Sequence, residues 1–319
     1  MAALEEVVRE QLKKCLSSTN LALGEKIVGK VRDNYIDKDK QVRYVITTDR
    51  ISCFDVVVGT IPFKGKVLTD LAVYWLEKTK DIAENHLIDM PCDCVMICKE
   101  CEVLPVEVVI RGYLAGSAWR DYKAGRDISG IKLPEGLKEW QKLSSPILTP
   151  STKASKGEHD MPISEKEIIE RKIVDKKIWE EVREKAFALF SFGQEEAEKR
   201  GLILVDTKYE FGIYKGKVLL VDEVHTLDSS RYWIASTYQE RLNRGEPPEM
   251  LDKEQVRRWL REQGFSGEGE PPILPDEFRV QTALSYINSY ELITGKVFEG
   301  KVKDFNEEIA KVLSRDFAL

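Results

Sequence analysis

The chain has 319 residues, of which 42% are hydrophobic and 33% charged, with a formal net charge of −6. This length allows one large domain or two smaller ones, and the interspersed charges argue against a polybasic nucleic-acid surface. Apolar runs fall far short of the roughly 20 residues of a membrane span, and the acidic first residues resemble neither a signal nor a transit peptide. We expect a cytoplasmic protein with no nucleic-acid or membrane partner.

The front of the chain is rich in predicted strands. Apolar spacing predicts a helix over residues 4–16. Residues 26–49 read as two strands joined by a turn at 37–40, and residues 69–79 as a helix capped by Thr69. Residues 92–116 read as two strands linked at Pro105.

The rest of the chain mixes helices with one hairpin. Residues 130–163 look like a long loop, and Ser164 with Glu167 forms a capping-box pattern. Further helices are predicted at 175–199, 252–263, 276–294 and 304–315. This order predicts an α+β protein with a β-rich domain at 1–105 and an α/β domain at 106–319.

Four of the six cysteines fall between Cys92 and Cys101. A zinc site usually takes its ligands from two separated pairs, and no histidine lies among these cysteines. We favour thiols of a reducing cytosol over a zinc-binding module.

A hairpin at 204–222 carries charges inside two apolar runs. A three-residue loop ending at Gly216 would put Lys208, Glu210 and Asp222 on one face, whereas a two-residue turn would separate the two carboxylates. Two carboxylates beside a lysine suit Mg²⁺ carrying a nucleotide. A cross-strand salt bridge on a solvated face is an equal alternative.

Two arginines occupy similar positions near the ends of predicted apolar strands. Arg231 ends a polar loop that follows the hairpin, and Arg111 precedes a glycine-bearing turn with Ser117. A guanidinium can bind phosphate with two parallel hydrogen bonds, and amides at a helix start bind anions. With the carboxylate pair, this favours a phosphorylated substrate beside a nucleotide, although surface arginines remain the alternative.

Two further motifs lie in the front half. Lys30 and Arg32 follow Gly29 in VGKVRDNY and could cover phosphates as a glycine-rich β-loop does, or lie on a solvated edge strand. TTDRISCFD groups Asp49, Ser52 and Asp55, and could be only a capped turn.

Seven motifs in order closely resemble the phosphoribosylaminoimidazole-succinocarboxamide synthase (SAICAR synthetase) family. They are GKVRDNY, TTDRISCFD, IPFKGKVLT, VEVVIRGYLAGSAW, ILTPSTKASKGEHDMPIS, LVDTKYEFG and VDEVHTLDSSRYW. The resemblance implies a two-lobed fold of kinase-like, ATP-grasp-like architecture. A smaller, mostly antiparallel N-terminal sheet would cover ATP, and a larger mixed α/β part would follow.

The resemblance also implies a reaction. ATP would drive L-aspartate onto the carboxylate of 5-amino-1-(5-phosphoribosyl)imidazole-4-carboxylate (CAIR) to give SAICAR, ADP and phosphate in purine biosynthesis. The protein would be a monomer or a small homo-oligomer using ATP and Mg²⁺.

Site roles carried over by the resemblance fall into four groups. ATP would contact Gly29, Lys30, Arg32, Glu102, Val103 and Leu104, and Mg²⁺ would bind Glu210 and Asp222. Substrates would contact Arg111, Ser117, Arg231, Asp49, Ser52, Asp55 and His159, and the catalytic residues would be Lys208, Lys153 and Asp160.

Two other functions fit parts of the sequence. A small-molecule kinase could use the same ATP scaffold, but an uncharged acceptor would not need the Arg111, Ser117 and Arg231 group. A non-catalytic nucleotide sensor would be expected to lack the metal carboxylates, and both are present.

Overall fold

The computed structural model describes residues 2–153, 161–251 and 253–315. Its helices are α1 (Ala2–Gln11), α2 (Lys64–Lys78), α3 (Gly116–Lys123), α4 (Glu165–Glu170), α5 (Lys176–Glu198), α6 (Ala235–Arg244), α7 (Glu254–Glu262), α8 (Asp276–Thr294) and α9 (Phe305–Arg315), with a 3₁₀ turn at Leu12–Lys14. Within these residues, no helix is long and apolar enough to cross a membrane.

The strands are also numbered in chain order. They are β1 (Glu25–Val28), β2 (Arg32–Asp37), β3 (Val42–Thr47), β4 (Arg50–Cys53), β5 (Val56–Thr60), β6 (Leu87–Cys92), β7 (Val95–Lys99), β8 (Glu102–Val103), β9 (Val106–Tyr113), β10 (Lys142–Leu148), β11 (Ser151–Thr152), β12 (Met161–Pro162), β13 (Leu202–Tyr214), β14 (Lys217–Val221) and β15 (Ser230–Ile234).

The described chain divides into two compact units. The first comprises residues 2–74, 87–100 and 253–315, and the second comprises residues 75–86, 101–153 and 161–251. The predicted boundary at residue 105 lies close to the division at 100/101. The C-terminal helices, however, group with the first unit, whereas the sequence pattern predicts them in the domain at 106–319.

The first unit is built on an antiparallel sheet of five strands in the order β1-β2-β3-β7-β6, beside the β4–β5 hairpin. The sheet's buried side chains include Tyr35 and Ile46, and side chains of the C-terminal segment are buried as well. Phe63 packs edge-on against Phe298 and Phe305, at centroid distances of 5.6 and 6.2 Å. Aromatic pairs in this geometry add to the free energy gained from burying their area.

The second unit is built on an eight-stranded sheet with the long strand β13 at its centre. Strand β13 pairs with β9, β14, β15 and β8, and all these pairs are antiparallel. Helix α5 packs against β13, and its buried side chains include Val182, Leu189 and Phe190. The α+β fold class is confirmed, and β13 can present charges because only one of its faces is covered by this core.

Several element predictions are confirmed. Helix α8 has the predicted bounds, and helices α5, α7 and α9 lie within two residues of theirs. The capping box is present, since Ser164 Oγ accepts from the Glu167 amide at 3.2 Å and Glu167 Oε2 accepts from the Ser164 amide at 3.0 Å.

Other element predictions are wrong. The predicted first strand of the 26–49 hairpin is split at Gly29 into β1 and β2. The 130–163 segment contains three short strands, β10, β11 and β12. Thr69 does not cap a helix, because α2 begins at Lys64 and the Thr69 hydroxyl donates to the Gly65 carbonyl at 2.9 Å.

The clustered cysteines are divided between the two units. Cys94 and Cys98 are buried in the first unit and Cys101 in the second, while Cys92 is half-buried. Burial raises the pKa of the Cys92 thiol to about 12. Among the described residues, no group of three or more histidine, cysteine, aspartate or glutamate side chains is arranged to hold a metal ion.

Candidate active site

The β13–β14 hairpin has a two-residue turn, so the predicted three-residue loop is wrong. Tyr214 pairs with Lys217 and Glu210 pairs with Val221. Lys215 and Gly216 between them have φ of 49° and 78°, which is the left-handed geometry of the tight hairpin turn that suits strand twist. Strict alternation from this register would send Glu210 and Asp222 to opposite faces.

Asp222 lies just outside the regular hairpin. It follows the last residue of β14 and has φ of 65°, so alternation no longer governs its side chain. Its backbone carbonyl lies 3.2 Å from His86 Nε2. The negative charge of Asp222 is one of the influences that raise the pKa of Lys208, so its carboxylate lies within electrostatic range of that lysine.

One face of the β9–β13–β15 part of the sheet carries the remaining charged side chains. Asp206 lies opposite Arg111 on β9 and opposite Arg231 on β15. Directly opposed residues share a face, and so do residues two apart on one strand. Asp206, Lys208 and Glu210 of β13 therefore lie on the same face as Arg111 and Arg231, and Glu107 joins them from β9.

Lysines and carboxylates form a cluster at one end of this face. Lys208 Nζ donates to Glu107 Oε1 at 2.8 Å and to Glu210 Oε1 at 2.7 Å, and Lys153 pairs with the other oxygen, Glu210 Oε2. Burial lowers the pKa of Lys208, but Glu210, Asp222 and Glu107 outweigh it and raise the pKa well above the ordinary value. Lys208 is therefore a fixed cation and not a base at neutral pH.

Two arginines form a clamp around Asp206, which lies two residues before Lys208 on β13. Arg231 donates to Asp206 Oδ2 at 2.9 Å and Arg111 donates to the same oxygen at 3.3 Å. Arg111 also donates to Thr149 Oγ1 at 2.8 Å and to Ser117 Oγ at 3.1 Å. Burial and the neighbouring Arg231 lower the pKa of Arg111, and Asp206 opposes that shift. Two guanidinium groups sharing one carboxylate leave a net charge of +1.

Gly116 closes the clamp at the start of α3. Its φ is 60°, and a Cβ atom there would lie 2.2 and 2.3 Å from the two terminal guanidinium nitrogens of Arg231. Only glycine permits this conformation and this close approach together. The predicted trio of Arg111, Ser117 and Arg231 is thus brought together, and the start of α3 adds backbone amides to it.

Buried side chains on the opposite face of β13 support this arrangement. Tyr209 and His225 are fully buried and joined by a 2.7 Å hydrogen bond. His225 also accepts from the Tyr232 hydroxyl through its carbonyl oxygen at 2.8 Å and packs edge-on against Trp75 at 4.7 Å. Burial lowers the pKa of His225 to about 3, so this imidazole is neutral.

The predicted phosphate loop of the first unit is the β1–β2 turn. The Gly29 amide donates to the Arg32 carbonyl at 2.8 Å, so Lys30 lies in the turn and only Arg32 lies on a strand. Lys30 pairs with Asp55, and both side chains are more than half exposed. Asp55 lies at the tip of the β4–β5 hairpin with φ of 65°, and Ser52 lies on β4.

Asp49 has a structural role, so we remove it from the substrate contacts. Its carboxylate is fully buried and accepts from the Leu16 amide at 2.7 Å and the Gly65 amide at 2.9 Å. The second bond caps helix α2 near its N-terminus. Burial raises the pKa of Asp49 to about 6, against the lowering effect of these amides.

The other predicted residues lie in two places. Glu102 and Val103 form β8, and the Leu104 amide donates to the Phe211 carbonyl at 2.8 Å, so this N–H is used within the sheet. His159 and Asp160 lie outside the described residues.

Sequence reasoning missed Glu107, Asp206 and Thr149. Each is a single polar residue beside an apolar run, and its role depends on a partner on another strand. The available signal was that Glu107 and Arg111 are four residues apart on a strand, as are Asp206 and Glu210. Side chains at even spacing share a face.

The carboxylate cluster fits a magnesium ion by its donor chemistry. Glu107, Glu210 and Asp222 carry three negative charges against two positive charges of Lys153 and Lys208, a net charge of −1. Mg²⁺ prefers one or two protein carboxylates completed by phosphate oxygens and water. Glu210 and Asp222 would be those ligands, and the cation would reverse the sign of the cluster.

Comparison with known proteins identifies relatives over most of the chain. The sequence model described as SAICAR synthetase matches residues 25–272. A putative phosphoribosylaminoimidazole-succinocarboxamide synthase 2 of Agrobacterium fabrum is 47% identical over 276 residues, which is 85% of this chain and 87% of that protein. The phosphoribosylaminoimidazole-succinocarboxamide synthase of Bacteroides thetaiotaomicron is 44% identical over 95% of this chain and 98% of its own length.

A solved structure of a SAICAR synthase is similar to this chain in fold. The SAICAR synthase of Saccharomyces cerevisiae, in complex with SAICAR, superposes with a TM-score of 0.78 at 32% sequence identity. The match covers 89% of this chain and the whole of that one.

Proposed function

The chain belongs to the SAICAR synthetase family, and we propose that the charged face of β9, β13 and β15 is its catalytic surface. The protein is an ATP-dependent ligase that joins L-aspartate to the carboxylate of CAIR in purine biosynthesis, forming SAICAR, ADP and phosphate. The matched relatives are ligases, so the small-molecule kinase alternative is set aside.

The arginine clamp is proposed to bind the 5′-phosphate of CAIR. Arg111 and Arg231 carry one more positive charge than Asp206 neutralises, and Ser117 supplies a hydroxyl at 3.1 Å from Arg111. A phosphate dianion would satisfy this excess charge and take bidentate hydrogen bonds. This paired-arginine geometry is the observation that carries the proposal.

The lysine–carboxylate cluster is proposed to bind the metal-bound phosphates of ATP. Mg²⁺ held by Glu210 and Asp222 would supply Lewis-acid stabilisation of the transferred phosphoryl group. Lys208, kept protonated by three carboxylates, neutralises phosphate charge throughout the reaction. The clamp and the cluster lie two residues apart on β13, about 7 Å along a strand, so bound CAIR would reach from one to the other.

The chemistry requires activation because a carboxylate does not react with an amine at neutral pH. A CAIR carboxylate oxygen would attack the γ-phosphorus of ATP, with ADP as leaving group. The aspartate amine would then attack the acyl carbon, expel phosphate and lose a proton to form the amide. The protein's contribution is positioning and charge neutralisation.

The remaining assignments rest on the sequence resemblance. ATP contacts are proposed for Gly29, Lys30 and Arg32 in the first unit and for the 102–104 segment in the second. Ser52, Asp55 and His159 are proposed substrate contacts, and Lys153 and Asp160 are proposed to act on the reacting groups. A monomer or small homo-oligomer in the cytoplasm, without nucleic-acid or membrane partners, stays our prediction.

A pair of binding measurements tests the two halves of the face separately. We expect Asp222→Asn to abolish Mg²⁺-dependent ATP binding and turnover while CAIR still binds, because the clamp is untouched. We expect Arg231→Ala to weaken CAIR binding about 10- to 100-fold through loss of charged hydrogen bonds, while Mg·ATP binding is kept. The assignment is wrong if either variant retains wild-type binding of both ligands, or if both lose the same ligand.

A further inference from the structure

Glu210 has both carboxylate oxygens occupied by lysines, which bears on how it could bind a metal ion. Lys208 takes Oε1 and Lys153 takes Oε2. A metal ion at Glu210 would bind one of these oxygens beside an ammonium group, and the repulsion between the two cations opposes its binding until one ammonium moves away. The proposed metal site is therefore already held by a cation of the protein itself.

The two lysines differ in how firmly they are held. Lys208 lies on the central strand, has Glu107 as a second partner at 2.8 Å and experiences the charge of Asp222 as well. The Lys153 side chain is 41% exposed and reaches Glu210 from the end of β11. The backbone of Lys153 is anchored, since its amide donates to the Pro105 carbonyl at 3.1 Å. Its side chain can move while its main chain stays.

From this difference we propose that Lys153 is an exchangeable counter-ion of Glu210. It occupies Oε2 in the metal-free protein and is displaced when a divalent cation binds Glu210 and Asp222. The exchange rests on the proposed metal site, and it makes the Lys153 ammonium available to an anionic substrate group only after the cation has bound. The displaced ammonium remains near the site because its backbone is fixed beside Pro105.

Competition between two cations for one carboxylate sets the expected effect. Removing the Lys153 charge should strengthen divalent-cation binding about tenfold, the size expected for a unit charge a few ångströms away in a partly solvated site. Mn²⁺ serves as the probe, because free Mn²⁺ can be measured by electron paramagnetic resonance in the full-length protein without nucleotide. The readout is metal affinity, independent of turnover.

The variants separate the exchange from the metal site. We expect Lys153→Met to bind Mn²⁺ about tenfold more tightly than wild type, by the Coulomb argument above, and Lys153→Arg to behave as wild type. Lys78→Met is the matched control, since Lys78 is another partly exposed lysine of the same unit and is paired with Glu196. It should leave Mn²⁺ affinity unchanged, whereas Glu210→Gln should abolish binding.

A second readout follows the lysine itself. Acetylation of Lys153 by an N-hydroxysuccinimide ester, quantified by mass spectrometry, should accelerate when Mg²⁺ is added. Lys78 should show no change, and in Glu210→Gln the labelling of Lys153 should be fast with or without Mg²⁺.

Four outcomes would contradict these inferences. Wild-type Mn²⁺ affinity in Lys153→Met, or no measurable Mn²⁺ binding to that variant, would overturn the exchange. Lys153 labelling that ignores Mg²⁺ would overturn it as well. Wild-type Mn²⁺ affinity in both Glu210→Gln and Asp222→Asn would instead refute the proposed metal site.

Discussion

Replacing Gly116 by alanine should damage CAIR binding while leaving the protein folded. The new Cβ would lie 2.2 and 2.3 Å from the two terminal guanidinium nitrogens of Arg231, well inside van der Waals contact. The obstructing atoms are the end of a flexible side chain, so the backbone can stay and the guanidinium must move. The clamp would then lose one of its two arginines.

The magnitude follows from the contacts that are lost. A hydrogen bond to a charged group contributes about 1.5–3 kcal/mol, so losing the Arg231 contact to phosphate should raise the KM for CAIR about 10- to 150-fold. Gly116 also has φ of 60°, and alanine in that conformation costs about 1 kcal/mol of stability. The KM for ATP should stay near the wild-type value.

Gly125 provides the control, because it shares the strain without the clash. Its φ is 70°, and no atom lies within 4 Å of an added Cβ. Gly125→Ala should therefore lose similar stability, about 1 kcal/mol, with an unchanged KM for CAIR. Steady-state kinetics with varied CAIR and denaturant unfolding of both variants make the comparison. Equal CAIR KM values for the two variants would refute the role given to Arg231 and Gly116.

Three further predictions concern stability. The pKa of His225 is about 3 when folded, against an ordinary 6.5, so the unfolded chain binds a proton first and stability falls as pH drops through this window. Between pH 7 and 5 the unfolding free energy of wild type should fall by about 2 kcal/mol more than that of His225→Gln. If the two proteins lose unfolding free energy equally over this range, the lowered pKa of His225 is excluded. Lys208→Met should lower the unfolding free energy by about 2 kcal/mol, because it leaves three carboxylates together. Saturating Mg²⁺ should reduce this loss of stability. A loss that Mg²⁺ leaves unchanged would contradict the metal assignment. Ser164→Ala should cost about 1 kcal/mol by removing the capping box of α4, and an unchanged denaturant midpoint would show that this cap contributes nothing.

Local signals in the sequence were sufficient where the structure depends on neighbours in the chain. The Ser164–Glu167 capping box needs only residues three apart, and it is present as predicted. Long-range partners explain the failures. The sequence favours Thr69 as a helix cap, whereas α2 begins at Lys64 and its Gly65 amide donates to Asp49, which lies 16 residues earlier in the chain.

The candidate site shows the same limit more sharply. A three-residue loop predicts Lys208, Glu210 and Asp222 on one face, but the turn has two residues, and Asp222 follows the end of β14 with a positive φ, within electrostatic range of Lys208. Strand register alone therefore does not determine where the Asp222 side chain lies. Asp206 was missed because it gains its role only from Arg111 and Arg231, which reach it from two other strands.

Our proposal is that this protein couples ATP cleavage to the joining of L-aspartate and CAIR on the charged face of β13. Its most direct test is ADP release measured with Mg·ATP and L-aspartate, with and without CAIR, alongside product identification. We expect ADP only when all three substrates are present, with SAICAR formed in equal amount, and neither product from Asp222→Asn. Tight Mg·ATP binding without CAIR-dependent ADP release, or full activity in Asp222→Asn, would contradict it.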